Sequence, residues 1–299
     1  MQVERHRLFA GELLQAWHVS ARPSAQTTAE PDRQPENVLV LPLEGAFVLH
    51  DGPRRRAMAT PQHVVFVAAR QPYRMSLPGD AGDRCLTLRF GADALARVAP
   101  EAMRADAFDL AAFESCTPIT PASELARTAL WRLLRRPQPD ALEAEERGIE
   151  LLLGALRAAR RDGRAWNQSG LAGRHRLRRI GRVVEAVNAE PARRWTLHEL
   201  ARLVHVSPSH LSHAFRDETG MPVHRHVLGC RLSKALDLLL DSDAEIGAVA
   251  QEVGFASHSH LGARFGERFG VTPTALRRQR ATLGAQVRSF VTATRRRTA

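Results

Sequence analysis

The sequence predicts an α+β protein in two parts: an N-terminal β-barrel or sandwich with helices attached, and a C-terminal part made only of helices. Three observations lead to this. Residues 37–93 hold short apolar runs between turn residues, residues 122–161 carry apolar side chains at helical spacing, and a phrase near residue 207 returns near residue 257. A chain of 299 residues has room for two such domains.

The first strands are predicted in NVLVLPLEGAFVLHDG, where two apolar runs meet at Glu44 and Gly45. Further short apolar runs bounded by Gly, Pro and Asp follow in HVVFVAARQPYRMSLPGD and DRCLTLRFGAD. Several short strands with turns at this spacing are typical of a sandwich or a small barrel.

Residues 122–136 and 141–161 are predicted to be helices because their apolar residues recur at the helical period. In the second helix they form one apolar stripe. The stripe either packs on the β-rich part or meets its counterpart in a second subunit, and the sequence leaves both open. Its members are Leu142, Ile149, Leu152, Leu153 and Leu156.

The polar, glycine-rich stretch RRDGRAWNQSGLAGR separates the two parts and predicts a linker. The segments after it have the composition of helices, and the last one, QVRSFVTATRRRTA, is predicted to be a frayed basic tail. The predicted organisation is a first domain of residues 1–162, a linker of residues 163–174, a helical domain of residues 175–280 and a tail of residues 281–299.

The helical part contains two copies of one sequence pattern, offset by 50 residues. They are VSPSHLSHAFRDETG and FASHSHLGARFGERFG. In each copy Leu and Phe stand four residues apart, so they lie on one face of a helix. A serine stands where an N-cap belongs, and a glycine stands where the helix should end. Each copy therefore predicts one capped helix of about three turns. The matching pairs are Ser207 and Ser257, His210 and His260, Leu211 and Leu261, Phe215 and Phe265, and Gly220 and Gly270.

A shorter helix precedes each copy, in LHELARLVH and EIGAVAQEVG. The first begins with a capping box, since Glu199 follows Thr196 at the required spacing. Ala201 and Ala250 are small enough for the second helix of each pair to cross closely over the first. A helix, a tight turn and a capped helix form the helix-turn-helix arrangement, and the chain predicts two of them.

The positive charge of the chain is concentrated in this helical part. The net charge is +11, and the residues from Leu171 onward include 21 basic and 11 acidic side chains, a net of +10. Such a surface suits a polyanion, nucleic acid first and a membrane surface second. An arginine-rich composition would explain the choice of Arg over Lys, but not the asymmetry between the two parts.

Other features narrow the class of protein. No run approaches the ~18 apolar residues of a membrane span, and the N-terminus lacks the pattern of a signal peptide. Three scattered cysteines, Cys85, Cys116 and Cys230, form no CxxC, which favours reduced thiols in the cytoplasm and disfavours a zinc site. The histidines before residue 170 form no HxH cluster, so neither a metal nor another cofactor is expected.

On these residues the helical part resembles the DNA-binding domain of the AraC/XylS family of transcriptional regulators. The resemblance implies that a long helix, about residues 224–240, joins two units, and that both recognition helices enter successive major grooves of DNA. It also implies an N-terminal cupin-like sensing domain followed by dimerising helices. The family pattern is carried by Ala250, Gly254, Phe255, Ser257, Ser259, Phe265, Phe269, Gly270, Thr272 and Pro273.

With the Leu and Phe positions buried, the two capped helices turn polar and small side chains outward. Many family members place arginine at the positions of His213 and Ala263, so this chain lacks the commonest bidentate contact to guanine there. His205 also departs from the family, which usually has glycine in that turn, but histidine tolerates the left-handed region better than most residues. The predicted DNA-binding residues are Ser207, Ser209, His210, Ser212, His213 and Arg216 in the first helix and Ser257, His258, Ser259, Gly262, Ala263 and Arg264 in the second.

A ligand site is predicted in the N-terminal part from alternation along one strand. Cys85, Thr87 and Arg89 lie on one strand face, and Tyr73 and Arg74 begin another strand. If that face is inward, Arg89 can hold an anionic ligand; alternatively, these side chains face water. The predicted ligand-binding residues are Tyr73, Arg74, Cys85 and Arg89.

The function predicted from the sequence is a cytoplasmic, sequence-specific transcription factor that is not an enzyme and that an unknown small-molecule effector controls. Its expected partners are double-stranded promoter DNA, a second copy of the chain and RNA polymerase, with no membrane. Two alternatives stay open. One is a DNA-binding module attached to an enzymatic or redox-sensing N-terminal domain, with Cys85 as the redox group, and the other is a non-specific architectural DNA binder.

Overall fold

The prediction of a sheet-rich N-terminal part is confirmed. Apolar, β-branched runs form the central strands, and residues 63–67 are buried throughout. This is seen in a computed structural model that describes residues 1–24, 32–51, 55–91, 116–159, 167–168 and 173–278. The strands are β1 (Gln2–Ala10), β2 (Leu14–Arg22), β3 (Asp32–Arg33), β4 (Asn37–Gly45), β5 (Phe47–Asp51), β6 (Arg55–Ala59), β7 (His63–Val67), β8 (Pro72–Ser76), β9 (Asp83–Phe90), β10 (Cys116–Pro118) and β11 (Asn167–Gln168).

Two sheets form a sandwich, called the N-terminal sandwich below. Among the described residues, the first sheet has six strands in the order β1-β2-β9-β4-β7-β10, and the second has five in the order β11-β6-β5-β8-β3. The strands β1 and β2, which the sequence analysis did not predict, extend the first sheet. β2 pairs antiparallel with β9, from Leu14 opposite Phe90 to Ala21 opposite Asp83.

Both faces of each sheet are covered, because alternate residues of a strand point to opposite faces. On β5, Val48 belongs to a cluster shared with the C-terminal helices, whereas Leu49 belongs to the cluster between the sheets. On β4, Leu39 packs toward the N-terminal helices and Val40 toward the interior. The five-stranded sheet therefore lies between the interior of the sandwich and the C-terminal helices.

Two predicted helices follow the strands, α1 (Pro121–Leu134) and α2 (Ala141–Ala159). The apolar stripe of α2 packs mostly within the chain. Leu152 and Leu156 are buried in the cluster on the outer face of the six-stranded sheet, while Leu142 is 69% exposed. Of the two alternatives left open for the stripe, packing on the β-rich part is the one observed.

The C-terminal part is helical in its described residues, and the predicted joining helix is α6. Within the predicted linker, residues 167–168 pair with β6, and α3 begins at Gly173; the predicted tail lies outside the described residues. No helix in the described ranges is long and apolar enough to cross a membrane. The helices are α3 (Gly173–Ala189), α4 (Leu197–Leu203), α5 (Pro208–Thr219), α6 (Val223–Asp241), α7 (Ile246–Glu252), α8 (His258–Phe269) and α9 (Pro273–Arg278).

Candidate nucleic-acid interface and interior cavity

The two capped helices have the ends that the repeat predicts. α5 follows Ser207, whose Oγ accepts a hydrogen bond from the backbone N of His210 at 3.2 Å. α8 follows Ser257, whose Oγ accepts one from the backbone N of His260 at 3.1 Å. Each helix ends at the predicted glycine in the left-handed region, with φ 69° and 70°. The same local chemistry therefore sets both helices in place.

The Leu and Phe side chains of both capped helices are buried against the preceding helices. Phe215 of α5 lies in one cluster with Ala201 of α4, and Phe265 of α8 lies in one cluster with Ala250 of α7. The two Leu and two Phe positions are each at most 1% exposed. This burial turns the opposite faces of α5 and α8 outward, and it confirms the two predicted helix-turn-helix units.

The turns inside the two units use different residues for the same conformation. His205, between α4 and α5, has φ 54°, as predicted, and Gly254, between α7 and α8, has φ 82°. A Cβ atom on Gly254 would stand 2.3 Å from the carbonyl oxygen of Ala192, so both the backbone conformation and the space require glycine there. His205 is exposed and completes its turn with the small strain of a left-handed histidine.

The predicted DNA-binding side chains lie on the outward faces of the two units. Those of α5 carry hydroxyl, imidazole and guanidinium groups, while α8 also presents small side chains. The exposed members are Ser207, Ser209, His210, Ser212, His213, Arg216, Ser257, His258, Ser259, Ala263 and Arg264, and Gly262 is half-buried.

The side chain of Arg264 points away from the core. Its Nη1 lies 2.9 Å from Oε2 of Glu267 on the same helix, and the two side chains are 47% and 64% exposed. Because exposed pairs of this kind contribute little to stability, the guanidinium is free to exchange Glu267 for another anion. Within the described residues, no three His, Cys, Asp or Glu side chains are grouped closely enough to hold a metal ion.

One arginine ties the two units to the joining helix. The guanidinium of Arg231 on α6 donates to the carbonyl oxygens of Pro191 at 2.8 Å, Arg193 at 2.9 Å and Gly254 at 3.1 Å. The first two acceptors precede α4, and the third lies in the turn before α8. With 19 residues, α6 is about 28 Å long, somewhat less than the ~34 Å of one helical turn of DNA.

Two buried histidines lie where the N-terminal sandwich meets the helical part. His63 Nδ1 accepts from the backbone N of Thr60 at 3.2 Å, and His63 Nε2 donates to the carbonyl oxygen of Thr219 at 2.9 Å. These partners select the neutral ring with hydrogen on Nε2. Burial lowers the pKa of His63 to about 4. Burial, and secondarily the nearby His63, lowers the pKa of His226 on α6 to about 3, so both rings are neutral at pH 7.

A cavity of about 110 Å³ lies between the two sheets. Three of the four predicted ligand-binding residues, Tyr73, Cys85 and Arg89, line it together with Arg5 of β1. Arg74 is exposed and does not line it, because it alternates with Tyr73 along β8. The volume approaches the ~150 Å³ of an engineered cavity that binds benzene. The strand face predicted to bind a ligand is therefore inward, with room for about one small ring.

Asp83 and Arg89 bring charge to this mainly apolar cavity. Asp83 Oδ2 accepts a hydrogen bond from Cys85 Sγ at 2.9 Å, and burial raises the pKa of Asp83 to about 6. The guanidinium of Arg89 lies 5.4 Å from the ring centroid of Trp17. Asp83 Oδ1 and Arg89 Nε are both buried without a hydrogen-bond partner among the described residues.

The buried thiol of Cys85 is poorly suited to redox sensing. Its side chain is 2% exposed, and burial, with the neighbouring Asp83 adding to it, raises its pKa well above the usual value. The reactive form of a cysteine is the thiolate, which such a pKa suppresses at neutral pH. The burial and raised pKa of Cys85 therefore disfavour the redox-sensing alternative for the N-terminal part.

Sequence reasoning missed several residues that join the two parts or line the cavity. Asp83 had a usable signal, because it precedes Cys85 by two residues and so shares its strand face. Arg56, His63 and Glu124 had none, because their partners lie far along the chain and no local motif marks them. They form the contacts between the N-terminal sandwich and the helical part.

Known proteins resemble parts of this chain. A family described as a helix-turn-helix domain matches residues 200–279. The HTH-type transcriptional regulator MtrA of Neisseria gonorrhoeae is 27% identical over 129 residues, 43% of each chain. A putative AraC-like transcription regulator of Streptomyces lividans is 28% identical over 162 residues, 52% of each chain.

The solved structures that resemble this chain include the DNA-binding domain of AdpA in complex with a target DNA. That domain is 27% identical, and the match covers 34% of this chain and 93% of the domain with a TM-score of 0.33. The chain spans about half the length of the curated relatives it matches.

Proposed function

We propose that this chain, which carries the helix-turn-helix domain of the AraC family of transcriptional regulators, controls transcription by binding specific DNA sequences. The observation that carries the proposal is the pair α5 and α8. Both have the same caps and the same buried stripe, and both leave their N-terminal halves exposed. α6 joins the two units and its length of about 28 Å lies near the ~34 Å of one helical turn of DNA, while Arg231 bonds to backbone of both units.

The two helices are expected to contribute differently to DNA recognition. In α5, Ser212 and His213 offer hydroxyl and imidazole groups, which hydrogen-bond to base edges. In α8, Ala263 offers only a methyl group, which suits the methyl of thymine, and Arg264 can reach a phosphate. We therefore expect α5 to supply most of the sequence preference and α8 to contribute mainly to positioning.

Fluorescence anisotropy with DNA from upstream of the chain's own gene, against a scrambled duplex at matched salt, tests this proposal. We expect a preference on the order of 10³ for the upstream DNA, and affinity that falls steeply as salt rises. Equal binding to both duplexes would favour the architectural alternative and contradict sequence-specific regulation.

Variants separate base reading from phosphate contact in the same assay. Ser212→Ala combined with His213→Ala should reduce the preference, whereas Arg216→Gln should weaken binding to both duplexes alike. Arg136→Gln removes an exposed arginine of the N-terminal part and controls for the lost charge. A preference unchanged in the double variant would exclude α5 as the reading helix.

We further propose that a small organic acid with an apolar body, bound in the cavity, is the effector. The apolar wall and a volume near that of one ring suit the body, and Arg89 supplies the positive charge. Arg5 and Asp83 line both this cavity and an open polar groove of about 650 Å³, so they stand where a ligand would enter. The two-sheet sandwich thus fits the cupin-like sensor that the family resemblance implies.

A thermal-shift screen of small aromatic and branched carboxylic acids, each beside its uncharged amide, tests the effector class. Acids are expected to raise the melting temperature, and amides are not. Arg89→Met should abolish the response while keeping the aliphatic stem, and Arg74→Gln, on the exposed face, should keep it. A response to the acids that survives Arg89→Met would refute the assignment.

We also propose a second copy of the chain as a partner, because the family resemblance implies dimerising helices, and RNA polymerase as a further partner. A dimer would place four recognition helices on DNA and lengthen the protected site accordingly. Sedimentation velocity of the chain with and without its DNA site measures this directly. One chain per site at saturation would rule out the dimer.

A further inference from the structure

The last turns of the two recognition helices hold a matched pair of residues. Glu218 in α5 and Arg268 in α8 are 50 residues apart, the same offset that relates the two copies of the repeat. They therefore occupy the same position in the two units. Both contact the N-terminal sandwich or its helix α1, although their charges are opposite.

The first contact joins α5 to the five-stranded sheet. The Glu218 carboxylate is fully buried and accepts from Arg56 Nη2 of β6 at 3.1 Å and from Arg176 Nε of α3 at 2.6 Å. The neighbouring Thr219 accepts from His63 through its carbonyl oxygen at 2.9 Å. Because a buried carboxylate without its cationic partners is strongly disfavoured, this contact holds the end of α5 firmly.

The second contact joins α8 to helix α1. Arg268 Nε donates to Oε2 of Glu124 at 2.9 Å, and its Nη2 contacts the same carboxylate and donates to Gln62 Oε1 at 3.3 Å. Gln62 Nε2 in turn donates to Ser233 Oγ of α6 at 3.2 Å, and Ser233 Oγ donates to Glu124. Glu124 is 0% exposed and Arg268 is partly exposed, so this ion pair has a buried carboxylate and lies within a hydrogen-bond network.

Both contacts meet one short segment of the sandwich. Arg56 on β6 contacts the first unit, and Gln62, six residues later, contacts the second unit and α6. Gly229 at the middle of α6 lies so close that a Cβ atom there would stand 2.2 Å from Gln62 Oε1. The segment from Arg56 to Gln62 therefore contacts both units at the last turns of α5 and α8, away from their exposed N-terminal halves.

We propose that Glu218 and Arg268 are positioning residues, through which the N-terminal sandwich fixes the placement of one recognition helix relative to the other. The inference rests on the proposed function, since it concerns how the two helices fit DNA. The contacts leave the DNA-binding faces uncovered, so the sandwich acts on their spacing and angle and not by blocking them. The sandwich therefore holds the two units in place together with α6. A conformational change in the sandwich can alter how both recognition helices fit their two grooves.

The test measures how strictly the full-length chain requires its groove spacing. Its natural site, located by footprinting, is compared with the same duplex carrying one extra base pair between the two protected grooves. The insertion moves the second groove by about 3.4 Å and rotates it by about 34°. We expect wild type to lose on the order of tenfold or more in affinity, and Arg268→Gln or Glu124→Gln to lose only about threefold, since loosened units can adjust to the new spacing.

Two further variants make the result specific. Arg268→Lys keeps the charge and should restore part of the insertion penalty. Glu44→Gln removes an exposed ion pair with Arg84 elsewhere on the sandwich and should keep the wild-type penalty. Circular dichroism confirms folding of each variant, and if Glu124→Gln does not fold, the partly exposed Arg268 carries the test.

The possible outcomes separate the inference from the proposed function. The inference is overturned if the folded variants lose as much affinity on insertion as wild type does. It is also overturned if wild type loses as little affinity as the variants. A wild type that binds its natural site no better than scrambled DNA overturns the proposed function instead.

Discussion

Replacing His63 by glutamine should make the protein less sensitive to acid. His63 is 3% exposed, accepts hydrogen bonds from the backbone N and Oγ1 of Thr60, and donates to Thr219 across the contact between the two parts. Of the two protonation states of the imidazole, only the neutral one satisfies all of these partners, because the protonated ring has no acceptor for Thr60. A glutamine side chain also offers a carbonyl oxygen and an N–H donor, so His63→Gln removes the titration while keeping the polarity.

The size of the effect follows from the pKa of His63, which burial lowers from 6.5 to about 4. Below pH 6.5 the unfolded chain binds a proton there that the folded chain excludes. Stability from this residue is therefore complete above pH 6.5 and is lost as pH falls toward 4, by about 1.4 kcal/mol per pH unit. From pH 6.5 to pH 5.0 the loss is about 2 kcal/mol. His226, with a pKa of about 3, also destabilises the folded protein as pH falls. Because His226 is present in both wild type and His63→Gln, its contribution largely cancels when the two are compared.

Urea unfolding at pH 7.5 and pH 5.0, followed by tryptophan fluorescence, measures this. The free energy of unfolding of His63→Gln relative to wild type should rise by about 2 kcal/mol between the two conditions, whatever its sign at pH 7.5. His224→Gln, at an exposed position of α6, controls for the loss of a histidine as such. If the difference between His63→Gln and wild type is the same at both pH values, His63 does not titrate as its burial implies, and the reasoning fails.

Three further changes test the two units and their contact with the sandwich. Phe265→Ala empties a fully buried site and should lower the free energy of unfolding by about 3–5 kcal/mol in a denaturant titration. Ser257→Ala removes the N-cap of α8 and should lower it by about 1 kcal/mol and weaken DNA binding, measured by anisotropy. Gly229→Ala should displace Gln62, and hydrogen exchange in the last turn of α8 should become faster, whereas unchanged exchange there would contradict the close packing.

The helical part was predictable because its signals are local. A capping serine acts on an amide three residues away, as Ser207 does on His210, and a left-handed glycine ends its own helix. The strand β1 was missed because its sequence, QVERHRLFA, is charged and mostly exposed. In the part of the chain that the structure describes, it pairs only with β2, at the edge of the sheet. Charged side chains are favoured at such an edge, and the apolar alternation that marks a strand is weak there.

The contacts between the two parts were not predictable for a different reason. Glu218 follows an ordinary amphipathic pattern, and an acidic residue in the last turn of a helix usually faces water. Its burial depends on Arg56, which precedes it by 162 residues and approaches only when the five-stranded sheet packs on α5. Glu124 and Arg268 are 144 residues apart and depend on the same packing. Such pairs follow from the tertiary fold and leave no periodic trace in the sequence.

The five-stranded sheet places the cavity and the first recognition unit only one layer apart. On β5, Leu49 lines the cavity, while its neighbour Val48 packs in the cluster that contains Phe215 of α5. Because consecutive residues of a strand face opposite sides, a ligand that shifted the backbone at Leu49 would also shift Val48. β5 pairs directly with β6, which carries Arg56. The proposed effector, if it shifted the backbone of β5 in this way, would reach the end of α5 through two adjacent strands.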